Sequence, residues 1–421
     1  MKKITKIIVF LLVSILLIST CACGGDKKED KKDSEAQEVE DKAEKAEDSK
    51  EEAEETEDSK EEAEKAEEAP TEGKKYKIGF NNLLKGAYSL DILERNFVNA
   101  CEAMGVEPVI VNDEGVIENS PNNVDSMIAA GVEGIVFFGV SDAIFQTIAM
   151  KCEQAKVPFV FYDHMPSPDV ITQLNDYEYY AGSAGTIDFN TGENAAKYAL
   201  ESGARKAIIA TGLITDTTHK ARTDGFTDEF VAGGGEVLDT KYSDTELEAA
   251  MQSIGDLLTA NPDAEFMYLT NGTMGSAGIQ IKEQRNLDIP TYVTDLDPDV
   301  LEGLKDGTVA AANGAHWTNP TFALALLVNH LNGVEMKQDD GSAAQLVVPV
   351  LTLPGELIDL YDHYWIKTGS PYTQEEMASF VDGTTTYNDL QAELDNYTLE
   401  NRLDKLSELG VVSEEDQELL K

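Results

Sequence analysis

From Tyr76 onward the chain alternates short apolar runs with longer stretches in which apolar residues recur three and four positions apart. Residues 76–80 form the first run, and helical spacing follows over 90–104 until Gly105 stops it. The same alternation predicts strands over 108–111, 134–138 and 158–162, with helices over 124–130 and 143–155. The pattern then restarts. Helices are predicted at 188–202, 221–231, 244–260, up to about 285, 299–305 and 320–331, and strands at 206–210, 236–240, 266–269, 291–293, 309–312 and 346–351. Short buried strands separated by amphipathic helices mean βαβ units and parallel sheets. Two doubly wound α/β lobes are expected. Ligands of open α/β sheets sit at the carboxyl ends of the strands, so two such edges facing each other make the cleft between lobes the site.

Ahead of residue 76 the pattern is different. Lys2, Lys3 and Lys6 precede an apolar run at 7–18 that is broken only by Ser14. As a helix this run spans about 18 Å against a hydrocarbon core of ~30 Å, so it reads as a secretion signal and not as a membrane span. The following Ser19-Thr20-Cys21-Ala22-Cys23 resembles the lipobox of bacterial lipoproteins, in which a small residue precedes the lipid-bearing cysteine. Ala22 favours Cys23 over Cys21 as acceptor, although Thr20 stands where an apolar residue is usual. This makes 1–22 a signal peptide and Cys23 the anchor to the cell membrane. Residues 26–75 hold 23 acidic and 11 basic residues, repeat E-D-S-K-E-E-A-E at 47–54 and 57–64, and have no apolar stripe. Such a segment is a solvated tether with a reach of ~40 Å, and 23–75 would hold a folded receptor off the membrane.

Charge narrows the ligand class. The net charge is -46; the leader contributes +3, the tether -12 and residues 76–421 -37. Nucleic acid is excluded as a partner, because its binding draws on Lys and Arg that release counterions. An anionic ligand gains nothing from this field, which favours a small neutral polar one. Enzyme motifs are missing: there is no G-x-S-x-G elbow, HExxH, P-loop or G-x-G-x-x-G after the first strand. Cys101 and Cys152 fall on helices that right-handed crossovers send to opposite sheet faces, so separate buried thiols are expected. Asp295, Asp297 and Asp299 alternate like calcium-loop ligands, but Val300 stands where that loop needs its glycine. Neither metal nor cofactor is expected.

The strand ends carry the candidate chemistry. Asp163 and His164 follow one strand, Asn271 another, and Asp295 a third. Arg222 lies just inside a helix after a Thr-rich loop, His316 and Trp317 follow the strand at 309–312, and Tyr88 sits in the first loop. Carboxylates, an amide, a guanidinium and an aromatic face are the inventory that holds a polyol, whose hydroxyls need paired donors and acceptors while its C–H face packs on a ring.

These residues stand in register with a known pattern. Phe159 to His164 resembles the family strand ending in Asp-Arg, with His164 where Arg is usual. Arg222-Thr-Asp-Gly225-Phe226 matches Arg-x-x-Gly-Phe, and Asn271-Gly272-Thr273-Met274 resembles Asn-Asp-x-Met with Gly272 replacing Asp. Thr294-Asp295 followed by Asp299-Val300-Leu301 resembles Gly-Phe-Asp and its helix. From about 75 to 359 the chain is similar to ribose- and galactose-type solute-binding proteins of ABC transporters, the type I periplasmic-binding-protein fold. That resemblance implies two lobes joined by three crossovers, near Tyr177, Trp317 and Gln345. Lobe 1 would comprise 76–177 and 317–345, and lobe 2 178–316 and 346–360, with 361–421 a helical C-terminal extension that includes a helix over 387–406. It further implies a monomeric, extracytoplasmic receptor that delivers a sugar to an ABC permease, with Asp163, Arg222, Asn271 and Asp295 lining the cleft. The alternative is a sensory lipoprotein presenting its ligand to a membrane kinase or chemoreceptor.

Overall fold

The structure, a computed structural model, describes residues 75–243 and 246–419. The leader, Cys23 and the tether up to residue 74 lie outside the described residues. Among those described, no helix is long and apolar enough to cross a membrane.

Among the described residues, twelve strands form two sheets. They are β1 (Lys77–Asn82), β2 (Glu107–Asn112), β3 (Gly134–Phe138), β4 (Phe159–His164), β5 (Tyr180–Thr186), β6 (Lys206–Thr211), β7 (Glu236–Tyr242), β8 (Phe266–Leu269), β9 (Thr291–Thr294), β10 (Ala311–Gly314), β11 (Gln345–Val347) and β12 (Leu351–Thr352). The first sheet runs β2-β1-β3-β4-β5-β11 and the second β7-β6-β8-β9-β10-β12, the same order used twice. Every pairing is parallel except that of β10 with β12. The central strands are continuously apolar because helices cover both faces. Alternation along them divides the first lobe's core. Phe80, Val136, Phe138, Val160 and Tyr162 face one side, with Phe80 stacked on Phe97 and Tyr162; Ile135, Phe137, Phe159 and Phe161 face the other. Cys101 belongs to the first layer and Cys152 to the second, and both are buried free thiols.

Two of the three expected crossovers move. Tyr180–Thr186 pairs with β4, so the chain leaves the first lobe after Thr186 and not near Tyr177. That strand reads Tyr-Ala-Gly-Ser-Ala-Gly-Thr, and its small residues hide it from a search for branched or aromatic runs. The return falls at Ala315 to Thr318, as expected near Trp317, because the helix Asn319–Leu331 packs on the first sheet. The last crossing follows Val347 instead of Gln345. Residues 346–351, expected as one strand, divide at Pro349 into β11 in the first sheet and β12 in the second.

Just past the first crossing, the helices Asp188–Glu201 and Thr217–Ala232 meet backbone to backbone. A Cβ on Gly192 would overlap the carbonyl oxygen of Arg222, and one on Gly225 would overlap that of Phe189. Phe226, beside this contact, stacks on Tyr268 at 4.9 Å and on Phe230 at 5.2 Å.

The C-terminal extension is helical, but the expected helix over 387–406 is two, Tyr387–Asp395 and Leu399–Glu408, because Thr398 caps the second by accepting from the Asn401 amide. The extension covers the first lobe. Asn96 and Asn99 donate to the carbonyls of Gly369 and Thr368, and Asn329 to that of Phe380. Lys305 of the second lobe pairs with Asp359 at 2.8 Å. Arg402 holds the extension together, bonded to Glu376 and to the Pro371 carbonyl and lying 4.0 Å over the Tyr372 ring.

The Gly225 contact is testable: Gly225→Ala should lower stability by about 1–3 kcal/mol or more, since the carbonyl of Phe189 has no room to retreat. Urea denaturation of the full chain checks this, and an unchanged midpoint would mean that the two helices do not meet as described.

Candidate functional site

Two aspartates occupy matching places in the two lobes. Asp163 lies at the carboxyl end of β4, fourth in the first sheet, and Asp295 directly follows β9, fourth in the second. Both adopt left-handed backbone, φ 75° and 77°, and Ala315 after β10 does the same at 63°. Non-glycine residues in this region cost of order 1–3 kcal/mol and cluster at ligand sites. The left-handed turn takes the chain sharply off each strand at its carboxyl end.

The lobes meet there through a chain of polar contacts. His164 Nε2 lies 3.2 Å from Asp163 and its Nδ1 2.9 Å from Asp188. Asp188 gives its other oxygen to Arg222 Nε at 2.9 Å. Arg222 Nη1 donates to the Thr270 carbonyl at 2.8 Å and lies 3.8 Å from Asp295. Across the opening, Thr217 donates to the Val140 carbonyl and Thr218 Oγ1 sits 3.2 Å from His164 Nδ1. On the first-lobe side, Asn319 Nδ2 donates to Asp163 at 2.7 Å.

Electrostatics follow from this network. Burial opposes the His164 cation, but the carboxylates of Asp188 and Asp163 outweigh it and raise the group to about 9. Burial likewise opposes the Asp188 anion, yet His164 and Arg222 hold it down at about 2. Burial alone dominates at His219 and His316, which are pushed down and stay neutral. The bonds of His219 set its tautomer. Thr270 gives its proton to Thr211, so its oxygen accepts from His219 Nδ1, which leaves Nε2 to accept from Asn271 Nδ2 at 3.3 Å.

The structure brings the expected residues into one region. Asp163, His164, Arg222 and Asp295 join through Asp188, and Asn271 joins through His219. Asn271 is also the N-cap of Gly272–Arg285, accepting from the Met274 amide at 2.8 Å. His316 and Trp317 lie 5.9 Å apart, and the Trp317 ring meets Tyr88 edge-on at 6.0 Å. Nδ1 of His316, Nε1 of Trp317 and Oδ1 of Asn319 are buried without a protein partner, which suits groups facing a hydroxylated ligand. Arg222 differs from expectation, since Nε is committed to Asp188 and Nη1 to a carbonyl. It orients the cleft as much as it faces it.

Sequence reasoning missed Asp188, His219 and Asn319. Asp188 had one signal. It opens a helix whose N-cap, Ile187, has no capping side chain, so the carboxylate is free to turn elsewhere. Gly272 also finds its reason: a Cβ there would overlap the Asp297 carboxylate.

A family model described as a periplasmic binding protein domain matches residues 78–334. The ribose import binding protein of Salmonella typhimurium is 23% identical over 213 residues, 50% of this chain and 69% of that protein. A D-ribose/D-allose-binding protein of Pseudomonas aeruginosa is 22% identical over 248 residues, 58% of this chain and 77% of that one. Among solved structures, a periplasmic sugar-binding protein from Pseudomonas fluorescens aligns with TM-score 0.65 at 14% identity, covering 74% of this chain and 97% of that chain. An ABC transporter solute-binding protein from Bacillus halodurans with bound myo-inositol aligns with TM-score 0.59 at 16% identity, covering 69% and 98%. These structures share the two-lobed fold.

The charged network predicts a pH profile. His164 stabilises the folded chain in full below pH 6.5, its unfolded value, and loses that contribution as pH rises through about 9. Asp188 contributes in full above 3.8 and loses it as pH falls through about 2. Chemical denaturation of His164→Gln should therefore show a flatter stability curve between pH 6.5 and 9 than the parent. Parallel curves would mean that His164 is not a cation in the fold.

Proposed function

We propose that this chain, which belongs to the periplasmic-binding-protein family, is an extracytoplasmic receptor that closes its two lobes around a sugar or polyol and delivers it to an ABC permease. One observation carries the reading. Asp163 and Asp295, at the same place in each lobe and in the same strained backbone, supply acceptors from both sides of one cleft. Closure desolvates the ligand hydroxyls, and each bond to a charged partner then strengthens. The buried unpartnered atoms of His316, Trp317 and Asn319 add donors and an acceptor. Trp317 and Tyr88 supply the apolar wall on which a sugar's C–H face packs. Relatives named for ribose and allose, and a fold neighbour holding myo-inositol, support this ligand class.

The receptor is lipidated on Cys23 after removal of 1–22, and 23–75 tethers it to the membrane. Its chemistry is binding and release, not catalysis. Among the described residues no group of three or more His, Cys, Asp or Glu side chains is placed to hold a metal ion.

A thermal-shift screen of the full chain in mild detergent, using pentoses, hexoses, inositols, nucleosides and amino acids, should show stabilisation by carbohydrates. A shift confined to nucleosides or amino acids would overturn the assignment. Asp295→Asn should weaken the carbohydrate hit about tenfold or more by calorimetry, the value of a bond to a charged group, while the unliganded melting temperature stays near the parent's. Asp295 is suited to this because its ion pair, 3.8 Å from Arg222, is loose.

A further inference from the structure

The chain does not stop at its third crossing. β12 belongs to the second sheet, and the Leu353 amide donates to the Ala312 carbonyl of that lobe at 3.0 Å. From there the helix Ile358–Tyr361 runs without a break into a π-wound segment, Asp362–Lys367, a rare winding that recurs at functional positions. At its start Asp359 pairs with Lys305 of the second lobe, and just past its end the carbonyls of Thr368 and Gly369 accept from Asn99 and Asn96 of the first. One helical rod therefore touches both lobes, a fourth passage between them among the described residues.

The same extension reaches the hinge. Trp365, in the π-wound segment, donates from Nε1 to the Tyr397 hydroxyl at 2.8 Å, and Tyr397 in turn donates to the Ala315 carbonyl. Ala315 is the left-handed residue at the second crossing, buried like both of these rings. Tyr387 donates to the Gln345 carbonyl at 3.2 Å, at the start of the strand that leads into the third crossing. Beyond that strand, Val348, Pro349 and Val350 line one groove with Gln391, Leu394 and Asp395 of the helix Tyr387–Asp395. Opening a two-lobed receptor turns backbone dihedrals at a few residues of its crossings. At two of the three crossings a nearby carbonyl is held by a phenol from a segment that is itself packed on the first lobe. A layer that only covered that lobe would need neither contact.

Resting on the reading of the molecule as a receptor that opens and closes, we propose that the C-terminal extension is a hinge clamp. Tyr397 and Tyr387 are its positioning residues. They hold the lobes, before ligand arrives, near the arrangement in which Thr217 bonds the Val140 carbonyl across the opening. A receptor whose binding-competent form is already populated binds its ligand more tightly, so the clamp raises affinity without touching the ligand.

Electron–electron distance measurement on the unliganded full chain tests this. Nitroxide labels go on Leu84→Cys and Ile214→Cys, exposed positions after the first strand of each lobe, with Cys21→Ala and Cys23→Ala; Cys101 and Cys152 are buried. The parent should give one narrow distance. Tyr397→Phe and Tyr387→Phe, which remove only hydroxyls, should each add a population longer by about 2 Å or more. Tyr364→Phe, whose hydroxyl bonds Asp416 within the extension, should add none. Melting curves confirm that each variant folds, and if Tyr397→Phe does not, Tyr387→Phe carries the test alone. A parent already spread over both distances, tyrosine variants with unchanged distances, or equal lengthening in Tyr364→Phe would each overturn the clamp. No sugar enters this experiment, so its failure leaves the carbohydrate reading standing, and a failed carbohydrate screen leaves the clamp standing.

Discussion

Everything about this cleft depends on the carboxylate of Asp188. It sits two residues past the strand on which the chain leaves the first lobe, and it gives one oxygen to His164 of that lobe and the other to Arg222 of the second. A buried anion with one partner is costly, and with two charged partners it is held. The result is a tie at the hinge, which keeps two strand edges pointed at each other. Asp163, Asp295 and Asn271 then need only short side chains to reach the same space.

The extension changes what the lobes can be. A helix lying on an ordinary sheet shows water a polar face, yet Asn319–Leu331 is buried nearly all round, with Phe322, Leu324 and Leu327 fully covered. The sheet takes one side of this helix and the extension takes the other, so on this face the first lobe gains a further layer made of residues beyond the family domain. Through Tyr397, which donates to the Ala315 carbonyl, the same segment reaches the second crossing between the lobes.

Much of this was legible in the sequence, for physical reasons that differ from element to element. Strands such as Gly134–Phe138 are buried on both faces, and an unbroken apolar run is what such burial requires. β5 was not legible, because its Gly, Ala and Ser residues make room for β11 and for the helix Asn319–Leu331 instead of filling space themselves. Pro349 was visible, but its effect, splitting one run between two sheets, depends on tertiary pairing. Among site residues, those ending strands were found because strand ends are readable. Asp188 and His219 lie on helices, where a polar residue facing the cleft looks like one facing water.

The contact between Gly192 and Gly225 explains the run Arg222-Thr-Asp-Gly225-Phe226. Its arginine answers Asp188, its glycine admits the neighbouring helix, and its phenylalanine joins the stack on Tyr268. All three serve architecture before cargo. The most conspicuous word in the chain therefore tells how the receptor is built and leaves open what it was selected to gather.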